Sequence, residues 1–208
     1  MIENRLEERI FDLKRIDFYK LFTYFFICAF IGWIYETGAV FLLTGQLTDR
    51  GLFFVQKKFS VYFNFLNNIP YVRSIPLIWG LPLIEIYGFG GCIIVLGIGK
   101  IRINMWHLFF ISILGLSFFE LVSSYFCEFV LHQTYWDYST EFMNFQGRIC
   151  LRSSLVWGGL AVMSIKYLKP KLERIYEKER QLRHYKLVII ILSIYTGICI
   201  LFKSFVFT

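Results

Sequence analysis

Glu36 stands near the outer end of an otherwise uncharged apolar run, residues 21–43 (LFTYFFICAFIGWIYETGAVFLL). An ionised carboxylate near the middle of a membrane-spanning helix costs about 2.5–3.5 kcal/mol on insertion scales, so this one is expected to face protein or trapped water and to have a partner. Cys28, Gly32, Glu36 and Val40 recur at steps of four and share one helix face, whose small residues let another helix come close. Further along, Ser117, Glu120, Ser124 and Glu128 are spaced three, four and four, which lines up hydroxyls and carboxylates in a stripe that should face the bundle interior. Glu85 and Tyr87 stand in GLPLIEIYGFGG, where Pro82, Gly88, Gly90 and Gly91 loosen the backbone and free carbonyls for a polar cavity.

Glu36, Glu85, Tyr87, Glu120 and Glu128 all fall in the outer half of the membrane or close to it, and their similar depth suggests one site. Four buried carboxylates side by side cannot all stay ionised. Arg148 and Arg152, entering a later apolar run from outside, are the natural counter-charges, and Asp137 either caps a short helix after it or pairs with Arg148. Such a set suits a proton or cation relay, a pocket for a cationic or polar substrate, or a general acid. The structural alternative is that Arg148 and Arg152 clamp Glu120 and Glu128 and thereby hold two helices together. Carboxylates and a tyrosine also suit a hard divalent metal, but HExxH is absent and no histidine pair accompanies them, so neither a metal nor a cofactor is expected.

The elements that must position these groups are membrane helices. The 208 residues are 57% hydrophobic and 20% aromatic, with a mean hydropathy of +0.56, well above the share of about 45–50% apolar residues in soluble domains. Roughly 20 apolar residues cover the hydrocarbon core, and long apolar stretches occupy 21–43, 75–99, 105–131, 149–168 and 187–207. The expectation is an all-α integral membrane protein of five transmembrane helices, in which the fourth carries Arg152 near its end and closes at Lys169-Pro170. Residues 1–20 are charged throughout, with Ile2, Leu6, Ile10, Leu13 and Ile16 at helical spacing; no cleavable signal peptide but an interfacial amphipathic helix is expected there. Segment 52–74 mixes aromatics with Lys57, Lys58, Asn67 and Pro70 and reads as an interfacial excursion within a membrane domain spanning 21–170. Residues 171–186 form a charged connector, either a solvated helix or a docking surface for a cytosolic partner, before a further span at 187–208. Fifteen of the 22 basic residues collect on the side of the N-terminus and of this connector, which makes that side cytoplasmic by the positive-inside rule.

Several classes drop out. The net charge of +7 lies in segments flanking apolar runs, with no basic stripe of interleaved aromatics, so a nucleic-acid partner is not expected. The cysteines (Cys28, Cys92, Cys127, Cys150, Cys199) lie in or beside apolar runs without CxxC spacing and read as small hydrophobes, with Cys127 and Cys150 the one pair near enough in depth to bond. Neither GxxxxGK[ST] nor GxSxG occurs, so nucleotide-driven work needs a separate subunit.

GWIYET at 32–37, DRGLFF at 49–54, LPLIEIYGFG at 81–90, the glutamates Glu120 and Glu128 eight apart, WDYS at 136–139, and GRICL with SLVWG at 147–158 occur as an ordered set. In this the chain resembles the CmpB-like family of bacterial membrane proteins, which carry the label of ABC-transporter permeases. The resemblance covers most of residues 21–170 and matches Glu36, Tyr87, Glu120, Glu128, Trp136, Asp137 and Arg148 to motif positions. It departs from the family at Asp49, at Leu81 and Glu85, and in roughly 25 residues inserted after Gly51. It implies a multi-pass protein of the bacterial plasma membrane, working in transport with a separate ATPase subunit on the cytoplasmic side; self-association into a homo-oligomer is left open. Two other classes stand beside it: a membrane-embedded enzyme on a lipid or lipid-linked substrate, with a protonated glutamate as acid and an arginine on a phosphate, and a non-catalytic assembly or sensory subunit.

Overall fold

The computed structural model describes residues 17–45, 51–56, 77–101 and 103–206. The expected amphipathic helix over 1–16, Asp49 and Arg50, and the greater part of the 52–74 excursion lie outside the described residues. The first helix, α1 (Phe18–Thr44), already takes in 18–20. It opens on Asp17, whose carboxylate accepts from the Tyr19 N–H at 3.0 Å, and closes on Gly45, whose left-handed backbone (φ 69°) turns its N–H onto the Phe41 carbonyl at 2.8 Å.

The next stretch differs from the single span expected over 75–99. β1 (Leu52–Gln56) pairs antiparallel with β2 (Leu77–Leu81), Leu52 opposite Leu81, and the helix α2 (Glu85–Cys92) starts only afterwards. Pro82 explains this. Its ring forces the preceding residue into extended backbone, and a proline is tolerated only in a helix's first turn. Glu85 is therefore the first residue of α2 and does not lie within a longer helix. From Cys92 the chain runs on through a π turn, Ile93–Gly97, and a 3₁₀ turn, Ile98–Lys100.

α3 (Met105–Val130) is capped by Asn104, which accepts from the His107 N–H at 2.9 Å. A structured loop over 131–150 leads to α4 (Leu151–Met163), where Cys150 and Ser153 cap each other's backbone N–H groups at 3.4 and 3.2 Å. The expected stop at Lys169-Pro170 is not a stop. A π turn at Ser164–Leu168 carries α4 into α5 (Lys169–Glu179), with Pro170 in the first turn of the new segment. The wider turn relieves the clash between a proline ring and the carbonyl four residues back. α6 (Arg183–Val206) completes the chain.

The architecture is that of a helical membrane protein with one small two-stranded ribbon. Among the described residues three stretches, Phe18–Leu42, Met105–Val130 and His184–Lys203, are long and apolar enough to cross a bilayer. On α3, Phe110, Leu114, Phe118 and Val122 are exposed at steps of four, a stripe suited to lipid. The bundle is built from two close helix pairs. α1 and α2 meet where side chains are missing: a Cβ on Gly32 would run into Tyr87, and one on Gly91 into Cys28. α3 and α4 meet at Gly158, where a Cβ would lie 2.8 Å from Phe109 and Ile113. Trp157 joins the pairs, its ring 5.5 Å from that of Tyr87 and against Gly90. At the N-terminal face, Lys169 Nζ donates to the Gly99 carbonyl at 2.7 Å, and the Tyr176 hydroxyl donates to Asp17.

Candidate functional site

The buried face of α3 holds Ser112, Leu116, Ser117, Glu120 and Ser124; of the four-residue stripe expected from spacing it takes in the first three, while Glu128, near the end of the helix, is left exposed. Glu120 is 4% exposed. Its carboxylate accepts from the Ser153 hydroxyl at 3.0 Å and from the Tyr138 hydroxyl at 3.1 Å, and the Trp157 side chain lies near it. Among the described residues no Lys or Arg lies within 4.0 Å of it. One turn earlier, the Ser117 hydroxyl donates to that of Ser154 at 2.6 Å, extending the polar seam between α3 and α4.

Across Trp157, the Tyr87 hydroxyl donates to Glu36 Oε1 at 2.6 Å. Glu36 is close enough to Glu120 and Tyr138 to interact with both through space. Glu36, Tyr87 and Glu120 thus form one cluster fed by α1, α2 and α3, with Tyr138 descending from the 131–150 loop and Ser153 and Trp157 rising from α4. Burial, then the Glu120 carboxylate beside it, holds the Tyr138 hydroxyl well above the usual tyrosine range, so it stays a proton donor. Two carboxylates this close, one of them held by neutral hydroxyls, share an affinity for a proton or a cation.

The other expected members go elsewhere. Glu128 pairs with the Arg148 guanidinium, which also donates to the Ser124 hydroxyl at 3.0 Å and lies 4.1 Å from the Tyr125 ring centroid. Half of the anticipated clamp therefore forms. Arg152 instead pairs with Glu141 at 2.9 Å on the surface and takes no part in holding Glu120. Asp137 neither opens a helix nor meets Arg148: its carboxylate accepts from the Ser139 N–H at 2.8 Å and hydroxyl at 3.1 Å. Gly147 crosses that turn with φ 68°, and a Cβ there would lie 2.6 Å from Asp137 Oδ1. It is Trp136 that reaches Arg148, its indole donating to the backbone carbonyl at 2.9 Å. Glu85 belongs to another neighbourhood, near Cys127 and Tyr135, where Lys203 Nζ stands 4.5 Å from the Tyr135 ring centroid. Burial, then Glu85, pushes the Tyr135 hydroxyl up to about 12. All five cysteines are free thiols.

Tyr138, Ser153 and Trp157 were not among the expected site residues. Ser153 has a local signal in the Cys150-x-x-Ser153 cap; for Tyr138, nothing in a loop sequence tells how deep its hydroxyl descends.

A family model described as "Putative ABC-transporter type IV" matches residues 23–202. The match runs beyond the 21–170 stretch that carries the motifs and takes in most of α6. No curated protein and no solved structure matches the chain.

Proposed function

The chain belongs to the family described as "Putative ABC-transporter type IV", and from that premise we propose that it is a permease-like membrane subunit whose acidic cluster handles a proton or cation during transport. The observation that carries this is Glu120: a carboxylate 4% exposed, within a membrane helix, held by two hydroxyls and close to the second carboxylate Glu36. A group placed only to bind two helices together is cheaper when its charge is compensated. A carboxylate left with neutral partners is suited to change its protonation, or to meet a cation that comes and goes.

In this reading the N-terminus and α5 face the cytoplasm, the 131–150 loop faces outward, and the membrane is the bacterial plasma membrane. Tyr138, reaching inward from that loop, closes the outer side of the cluster. ATP hydrolysis resides in a separate subunit that engages the cytoplasmic face, since the chain has no P-loop sequence.

The test is purification of the full chain from its native membrane in mild detergent, with mass spectrometric identification of copurifying chains and assay of ATP hydrolysis. A stoichiometric P-loop ATPase is the expected result. A chain that emerges alone, with no ATP hydrolysis in the preparation under several detergents, overturns the proposal.

A further inference from the structure

A cavity of about 410 Å³ opens where α1 begins, α5 ends and α6 begins, at the opposite end of the bundle from the acidic cluster. Its walls include Asp17, Tyr19, Tyr176, Arg180, Tyr185 and Lys186. Three tyrosine rings, Asp17 and a set of basic groups form a polar recess at the mouth of two membrane helices, and two lysines beside it lack a carboxylate partner among the described residues. Asp17 is engaged, accepting from the Tyr19 N–H and the Tyr176 hydroxyl. Arg180 has its carboxylate, Glu177, at 2.7 Å. Lys20 and Lys186 have none: among the described residues no carboxylate lies within 4.0 Å of either.

Both lysines are nonetheless held beside the recess by its own rings. Lys186 Nζ stands 5.4 Å from the Tyr19 ring centroid, and Lys20 Nζ stands 5.5 Å from that of Tyr176. Cation–π contact orients an ammonium group without neutralising it. Directly beyond Lys186, the side chains of Leu187, Val188, Ile191 and Ile194 are exposed along α6, and Phe18 is exposed at the start of α1. A recess flanked by two lysines without carboxylate partners among the described residues thus adjoins an apolar ridge running into the membrane.

We infer that this recess is a headgroup site for an anionic phospholipid, in which Lys20 and Lys186 meet the phosphodiester and the α6 ridge receives the acyl chains. The two uncompensated cations call for an anion, and the ridge distinguishes a lipid from a free ion. Inorganic phosphate would use the lysines and leave the ridge bare. A zwitterionic lipid presents the same phosphate but adds a cationic group that the lysines repel.

The experiment is native mass spectrometry of the full-length protein in mild detergent, titrated with phosphatidylglycerol, with phosphatidylcholine of the same acyl chains, and with inorganic phosphate. Phosphatidylglycerol is expected to be retained preferentially, and Lys20→Gln/Lys186→Gln to weaken that retention roughly thirtyfold, from about a five- to sixfold contribution per basic residue at the interface. The Lys20→Arg/Lys186→Arg variant, which keeps both charges, is expected to retain the lipid. Equal retention of the two lipids, loss of lipid from the arginine variant as from the glutamine one, or displacement of phosphatidylglycerol by millimolar inorganic phosphate would each overturn the assignment.

Discussion

Glu120, 4% exposed, rests on two hydroxyls, whereas Glu128, eight residues along the same helix, has a side chain 44% exposed that meets the Arg148 guanidinium. The outer carboxylate has solvent, a cation and a ring-stacked partner, the arrangement of a fastening. The inner one has none of these. Their neighbours differ in the same sense: Arg148 is tied by Ser124, by the Tyr125 ring and through its carbonyl by Trp136, while Glu120 faces a second acid, Glu36, through a Tyr138 hydroxyl and the Trp157 indole. One stripe on one helix therefore carries two kinds of acid, and they should respond in opposite ways when each loses its charge or partner.

The largest effect is expected at the inner acid. Glu120→Gln keeps the acceptor for Ser153 or Tyr138 and removes only the ability to ionise, so stability should change by less than about 1 kcal/mol. Transport by the reconstituted complex should fall about tenfold or more, as for an intramembrane acid with a functional role. Uptake rates and thermal melting of the same preparation check both halves, and a variant that loses stability while its folded fraction transports normally would collapse the distinction. Next comes Arg148→Ala. Removing one partner of a buried ion pair costs about 3–5 kcal/mol, and since Glu128 can rehydrate here the expected cost is nearer 2 kcal/mol. Thermal unfolding in detergent measures it, with transport per folded molecule unchanged. The double variant with Glu128→Gln should recover part of the loss, which a double-mutant cycle reads directly.

Much of this geometry was legible because helices impose a period. The steps of four from Cys28 through Gly32 to Glu36 marked the α1 face that receives α2, with Gly91 and Tyr87 opposite, and the spacing of Ser117, Glu120 and Ser124 marked the buried face of α3, which the fourth member, Glu128, leaves for the surface. What was not legible depends on contacts across the fold. Glu85 sits at a helix start because Pro82 ends the preceding strand, and that rule was available locally though outweighed by an unbroken apolar run. Arg152 lies four residues after Arg148, yet the turn from loop to helix sends it outward to Glu141. The reach of Tyr138 depends on the folding of its loop, in which its N–H donates to the Gly147 carbonyl at 2.7 Å and the Asn144 amide donates to the carbonyls of Ser139 and Glu141 at 3.1 and 2.9 Å.

Two smaller perturbations sharpen the contrast. Tyr87→Phe removes one donor to Glu36 and leaves the ring against Trp157, so about 1.5 kcal/mol of stability should be lost, in keeping with a hydrogen bond to a charged group. Thermal melting of the variant beside the unaltered chain measures the loss. The smallest effect belongs to Arg152. Its side chain is 68% exposed and its pair with Glu141 lies at the surface, where solvent screens the attraction and two long side chains lose rotamer freedom to hold it. Arg152→Gln should shift stability by less than about 0.5 kcal/mol and leave transport untouched. That result would separate two arginines four residues apart, one fastening α3 to the 131–150 loop and the other placed where its charge is carried by water. A large loss at Arg152 would mean that the loop over 131–150 depends on the Glu141 contact for its fold, and with it the placement of Tyr138 on Glu120.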